Sequence, residues 1–234
     1  ACYRMLDELG LNEGIDNHLT VMVPGTTDRF LCIAYGLNWH EVTASNLLLL
    51  NSDGKVLEGA GLPDPTAFFI HSRIHKTHPH AVAVLHTHMP YASALCCLED
   101  MTLQMIHQNC CRFHDEIAYD SHYDGLVLGT EEGDRLASVM QRKRVLFHQN
   151  HGVITTGDSV AEAFDELYYL ERAAQIQVLA MSTGKPMKAI DHEIVKSYKA
   201  SVDEFRACWA DKHFAARKRA LYKPKGMGHA DFSA

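Results

Sequence analysis

No Cys-x-x-Cys pair occurs among the seven cysteines of this 234-residue chain, which stand at 2, 32, 96, 97, 110, 111 and 208. Without that spacing a dithiol zinc or redox motif is excluded, and an odd count with two adjacent pairs makes no disulfide framework. Free thiols, buried or half-buried in a reducing compartment, are the expectation. No apolar run nears the roughly 20 residues of a membrane span. The longest, Ala81 to Leu85 and Leu47 to Leu50, suit pieces of core strand or helix. Basic charge is scarce: 22 Lys+Arg against 29 Asp+Glu leave a net charge of −7. A general nucleic-acid binder needs a basic face, so neither nucleic acid nor membrane is an expected partner. The start, Ala1-Cys2-Tyr3-Arg4, has no charged region leading into an apolar one and so shows no secretory signal. The reading is a cytoplasmic protein, with a native N-terminus expected to extend beyond Ala1.

What is present is an ordinary globular composition, 47% hydrophobic and 22% charged, over a length that suits one large domain. There is no repeat and no Gly-x-Gly-x-x-Gly, so nothing indicates a dinucleotide fold. Strands are expected at His18 to Val23, Phe30 to Ile33, Ala81 to Thr87, Ile117 to Tyr119, Val145 to Phe147 and Val153 to Thr156. Ser52-Asp53-Gly54 marks a hairpin turn. Asp64 and Pro65 read as N-cap and first residue of a helix to Thr77, and further helices are expected at Tyr91 to Cys97 and Thr130 to Gln141. The clearest helix runs from Val160 to Met181. Ser159 and Glu162 suggest a capping box, and Ala163, Phe164, Leu167, Leu170, Ala174, Val178 and Met181 make one apolar stripe. The pattern is α/β: a domain over residues 1–187, then a polar helical extension over 188–234 that contacts a neighbouring subunit. Its basic end, Arg217 to Lys225, reads as a solvated tail.

Histidine is abundant, with 16 in the chain. In Leu85-His86-Thr87-His88-Met89-Pro90, residues two apart on a strand share a face, so His86 and His88 can offer two imidazoles to one metal. A strand end gives a rigid base and an open front, which a catalytic metal needs. His151 in Gln149-Asn150-His151-Gly152 is the third candidate, on a turn that its glycine is expected to tighten. Three neutral imidazoles leave the ion its full charge for polarising a carbonyl. His71, His75, His78 and His80 read as helix-face and surface residues.

These stretches resemble a known family. "LHTHMPYASAL", "NHGVITTGDSVAEAF" and "LYYLERAAQIQ", preceded by "LNEGIDNHLTVMVP" and "FLCIAYGLNWHEVTASNLL", are similar in order to the class II aldolase/adducin family from about Leu11 to Met187. The resemblance implies a three-layer α/β/α fold with a central, mainly antiparallel sheet. It also implies a homotetramer with active sites at subunit interfaces and a divalent metal on His86, His88 and His151. In the sugar-phosphate aldolases that metal is zinc, and it stabilises an enediolate.

The departures matter as much. The glutamate those aldolases carry before the His-x-His strand falls at about Ala67, which cannot move a proton. The phosphate-binding turns are replaced at Ala34-Tyr35-Gly36 and Pro65-Thr66, leaving fewer groups to cradle a phosphate. In both respects the chain resembles the adducin head domain and its bacterial relatives, some of which are decarboxylases or non-haem iron oxygenases.

Replacement groups can be nominated. Glu171 lies on the core side of the long helix, where a carboxylate is paired or has a raised pKa. His107 and Tyr123 are further proton-handling candidates, Tyr123-Asp124 resembling a family turn pair. Asn17 and Gln108 are candidate substrate contacts, and His148 reads as a buried structural residue, with orientation of His151 as the alternative. The expected activity is a metal-dependent lyase acting on a small, non-phosphorylated hydroxy, keto or aromatic acid. Zinc is the expected metal, with iron or manganese as alternatives. The competing readings are an iron oxygenase on the same three histidines and a non-catalytic, adducin-like scaffold.

Overall fold

In the computed structural model, which describes residues 1–127 and 129–221, eight strands form one sheet in the order β4-β3-β2-β1-β5-β8-β7-β6. The strands are β1 (His18–Met22), β2 (Arg29–Ile33), β3 (Leu47–Asn51), β4 (Val56–Glu58), β5 (Ala83–Thr87), β6 (Ile117–Asp120), β7 (Val145–His148) and β8 (Gly152–Gly157). Every neighbouring pair is antiparallel except β6–β7. The helices are α1 (Cys2–Glu8), α2 (Pro65–Thr77), α3 (Pro90–Cys96), α4 (Gln108–Cys111), α5 (Thr130–Met140), α6 (Val160–Met181) and α7 (His192–Leu221).

Strand β5 is buried along its whole length and opens with the apolar Ala83-Val84-Leu85, because both of its faces are covered. Ala83 and Leu85 point into a core shared with Phe147, Val153, Phe164 and Leu167, on the side of α1, α3 and α6. Val84 points the other way, into a core with Ile70 and Ile74 of α2 and Leu136 and Met140 of α5. The sheet is therefore the middle layer of three, as the resemblance implies. Helices α2 and α5 cross closely at Gly133, where a Cβ would lie 2.1 Å from the Phe69 carbonyl oxygen. No helix among the described residues is long and apolar enough to cross a membrane.

Local signals were mostly correct. Asp64 Oδ1 accepts from the Thr66 and Ala67 amides at the start of α2. Ser159 caps α6 through the Glu162 amide, but the reciprocal half of the capping box does not form; Glu162 instead faces Arg144 at 3.6 Å. Helix α7 packs back on α6 of its own chain, burying Val195, Val202 and Ala210 and joining α6 through ion pairs, Arg206 with Glu166 and His213 with Asp165. Of the expected basic tail, residues 222–225 lie outside the described residues. All seven cysteines are free, and five are buried; Cys97 and Cys208 are exposed, against the expectation of burial, because each lies on an outward helix face or end.

Candidate metal centre

The β1–β5 pairing sets His18 directly opposite His86, and Pro90 ends the strand path by starting α3. His86 and His88 therefore leave the sheet together at the C-terminal end of β5. The β7–β8 hairpin brings His151 to the same place. The turn is made by Asn150, whose φ is +56°, and not by Gly152 as its sequence position suggested. Gly152 is needed for clearance: a Cβ there would lie 2.8 Å from both His88 Cδ2 and the Thr87 carbonyl oxygen.

The three rings form a compact group, with centroids 4.8–4.9 Å apart in every pair. Their hydrogen bonds determine which nitrogen carries the proton. His86 Nδ1 is 3.0 Å from the Val153 carbonyl oxygen, which can only accept, so Nδ1 donates. His88 Nδ1 donates to the Glu13 carboxylate at 2.5 Å. His148 Nε2 donates to the His122 carbonyl at 3.0 Å, which leaves His148 Nδ1 as acceptor for His151 Nδ1 at 3.2 Å. Each ring of the triad thus turns an unprotonated Nε2 to the centre.

This donor set fits a divalent ion. His86 Nε2 and His88 Nε2 stand 3.1 Å apart, two lone pairs facing each other, which is repulsive unless a cation lies between them. Zinc bonds of about 2.0–2.1 Å separate tetrahedral ligand nitrogens by roughly 3.3 Å. Burial, followed by the neighbouring His18, His151 and His88 rings, pushes His86 well below the ordinary histidine value. Burial and then His88 lower His151 to about 3. Neutral rings are what a metal requires. The carboxylate, carbonyl and imidazole behind them fix orientation and raise basicity.

A second group, Asp120, Glu132 and His148, also has metal-compatible spacing. It already holds a cation. Arg135 bonds both Asp120 oxygens at 2.8 and 2.6 Å and both Glu132 oxygens at 2.7 and 2.8 Å.

The other expected residues fall in different places. Asn17 Oδ1 accepts from the Glu13 and His88 amides at 2.7 and 3.3 Å, so Asn17 sits against the triad's backbone. The Tyr123 ring, 44% exposed, lies 5.9 Å from His151 at the mouth of the centre. Glu171 is buried and accepts from the Tyr91 and Ala92 amides at 2.9 Å each, holding the first turn of α3. Burial raises its carboxyl and those two amides oppose the rise. His107 caps α4, and Gln108 bonds the Tyr198 hydroxyl. Among the described residues no hydrogen bond or ring contact joins His107, Gln108 or Glu171 to the triad.

The α2 histidines correct an expectation. His71 and His78 are buried, not surface residues. α2 lies against the sheet, so the face carrying His71 and His75 meets β1. His71 Nε2 is 2.9 Å from His18 Nδ1, and His78 bonds the Ala137 carbonyl across the α2–α5 contact. Sequence reasoning missed Glu13 and His18 altogether. A signal existed for His18: it and Thr20 alternate on one strand face, while His71 and His75 share a helix face four residues apart. Glu13 has no such signal, since it lies in the irregular stretch between α1 and β1.

A mainly antiparallel sheet between helical layers, with three imidazoles converging at the end of its central strand, defines an aldolase-type metal-site fold. The chain belongs to the class II aldolase and adducin family: the model of the Class II Aldolase and Adducin N-terminal domain matches residues 1–178. The aldolase II superfamily protein from Pseudomonas syringae superposes with a TM-score of 0.86 at 31% identity, covering 93% of this chain and 88% of that one. L-fuculose 1-phosphate aldolase from Glaciozyma antarctica superposes with a TM-score of 0.84 at 25% identity, covering 94% and 86%. Human beta-adducin is 33% identical over 79% of this chain, which spans only 26% of adducin's length.

Proposed function

We propose that the chain is a metal-dependent lyase that cleaves a C–C bond of a small, non-phosphorylated hydroxy, keto or aromatic acid, with His86, His88 and His151 holding the ion. The observation that carries this reading is the convergence of three Nε2 lone pairs, each fixed by a partner on Nδ1. Zinc suits an all-imidazole set best. When bound, a divalent ion supplies Lewis acidity to substrate oxygens at this position.

The chain's own residues do the rest. Asn17 is held by two backbone amides, lines the adjoining crevice and keeps its amide nitrogen buried and without a partner. Tyr123 places a hydroxyl-bearing ring at the mouth, suited to handing a proton between substrate and solvent. Glu171 secures α3 and with it the path of the chain beyond His88. Ala67 lines the crevice where the sugar-phosphate aldolases carry a carboxylate, which favours a substrate whose cleavage does not need that group. The partial exposure of His88 and His151 and the exposed Tyr123 and Leu126 of one loop suit a homotetramer whose subunits meet at this mouth. Seven unpaired thiols suit the cytoplasm.

The test is the metal content of anaerobically purified protein beside a His86→Ala control. Zinc or manganese near one per subunit, lost in the control, supports the lyase and directs screening to hydroxy and keto acids. Iron with oxygen uptake replaces it with the oxygenase. No metal in either protein leaves the adducin-like scaffold, which the 33% identity to beta-adducin favours.

A further inference from the structure

Behind the triad runs a buried chain of hydrogen bonds whose direction is fixed at one end. His75 Nδ1 lies 2.5 Å from the Ala81 carbonyl oxygen, which has no hydrogen to give, so His75 donates from Nδ1. Its Nε2 then accepts from the Thr20 hydroxyl at 2.7 Å. That hydroxyl has spent its only hydrogen, so at 2.8 Å it accepts from His71 Nδ1. His71 Nε2 in turn accepts from His18 Nδ1 at 2.9 Å. Burial keeps His71 and His75 neutral, each with one ring proton to place. The polarity set by Ala81 therefore passes through four side chains and leaves His18 Nε2 unprotonated.

His18 Nε2 has no hydrogen-bond partner among the described residues. The His18 ring lies 4.9 Å from His86, tilted by 35° to it, and lines a narrow crevice with Asn17, Tyr35, Asp64 and Ala67. The orientation of the Asn17 amide is also fixed, because Oδ1 takes two backbone amides and Nδ2 is left as a buried donor without a partner. Two residues that line this crevice, each in contact with a member of the triad, thus carry one obligate acceptor and one obligate donor.

We propose that His18 and Asn17 form a hydroxyl-selecting pair, His18 Nε2 accepting from and Asn17 Nδ2 donating to one hydroxyl of a metal-chelating hydroxy acid, with Thr20, His71 and His75 as positioning residues. The selection of a hydroxyl rests on the function proposed above; the tautomer of His18 does not. A keto oxygen or a phosphate oxygen without hydrogen satisfies Asn17 and sets its lone pairs against those of His18, shutting that acceptor off from water unmet, which costs about tenfold or more in affinity.

Two measurements test this. In metal-free protein with ¹⁵N-labelled histidine, long-range ¹H–¹⁵N spectra assigned to His18, His71 and His75 are expected to show protonated Nδ1 and bare Nε2 on all three. A proton on His18 Nε2 overturns the proposal whatever the metal content proves to be. In zinc-loaded protein, calorimetry with lactate and pyruvate, which share a carbon skeleton, is expected to favour lactate roughly tenfold. Thr20→Val should remove the preference without changing zinc content, and Thr20→Ser, which keeps the hydroxyl, should restore it. Equal binding of the two acids, binding of neither, or a preference unchanged in Thr20→Val overturns the selection. Loss of zinc from the wild-type chain instead overturns the function and leaves the tautomer result standing.

Discussion

Among the described residues two side-chain groups have the spacing of a metal site, and His148, a member of one, bonds His151 of the other. At His86, His88 and His151 every inward-facing atom is an acceptor, and no lysine or arginine among the described residues bonds them. At Asp120, Glu132 and His148 the Arg135 guanidinium bridges both carboxylates with four hydrogen bonds. Spacing alone does not separate the two; compensation does. A cluster whose lone pairs have no internal partner asks for an ion, whereas one with an arginine already seated is a strut. Here the strut fastens α5 to the end of β6. Through His148 it also holds the ring that orients His151.

That contrast breaks if the two groups respond alike to losing one member. His151→Ala is expected to abolish metal uptake, read by elemental analysis, while thermal unfolding of the metal-free protein changes little. Arg135→Met is expected to do the reverse. It leaves Asp120, which is buried, without its counter-charge and costs about 3–5 kcal/mol. Metal content per folded subunit is expected to stay unchanged. Metal retained in His151→Ala would remove the third ligand, and metal gained in Arg135→Met would show that the second group is a site held closed.

Acid sharpens the same distinction, since the two regions titrate in different windows. Burial lowers His75, on the relay behind the triad, from 6.5 to about 4. The unfolded chain therefore binds more protons between those values, and the stability this neutral ring contributes is complete above 6.5 and lost as pH falls toward 4. Burial pushes Asp120 up, but the hydrogen bonds and charge of Arg135 outweigh it and hold the carboxyl below its ordinary 3.8. That contribution is lost only below 3.8. Melting in EDTA is expected to weaken between pH 6.5 and 4 and again below 3.8. A midpoint flat down to pH 4.5 would show that the histidine side is not held neutral by burial.

Much of this was legible in the sequence, and what was not shares a cause. Strand alternation gave His86 and His88, and the turn signal between two apolar strands gave His151. Ser159 and the apolar stripe of α6 bounded that helix correctly. His71 was misjudged because α2 is amphipathic in a way that hydropathy does not register: beside the aliphatic Ile70 and Ile74 of its buried side, the part that meets β1 carries imidazoles satisfied by that strand. Gly152 was read as a turn residue, but its function is clearance for His88, a tertiary distance with no local signature. A Gly152→Ala substitution tests this. Its Cβ must displace the His88 ring, and about 1–3 kcal/mol of overpacking is expected with weakened metal binding. Unchanged metal affinity would mean that the ring yields freely.

The smallest effect expected is at Glu13, and it bears most directly on how finely the centre is built. Glu13 is largely exposed, yet its carboxylate takes the His88 Nδ1 proton at 2.5 Å. Stability should hardly notice its loss, since exposed pairs contribute about 0–1 kcal/mol. Metal affinity should, because an imidazole backed by a carboxylate is the stronger donor, and removing such support typically costs about 10–100-fold. Exposure and the retained hydrogen-bonding amide put Glu13→Gln near the lower end, about tenfold, measured by competition with a chelator. Val153 and His148 support the other two rings from within the fold, so no equally mild substitution reaches them. Glu13 is the one support that can be changed while the sheet stays intact. An affinity unchanged in Glu13→Gln would mean that backbone and packing alone aim His88, and that the polar surroundings of the triad orient its rings without tuning them.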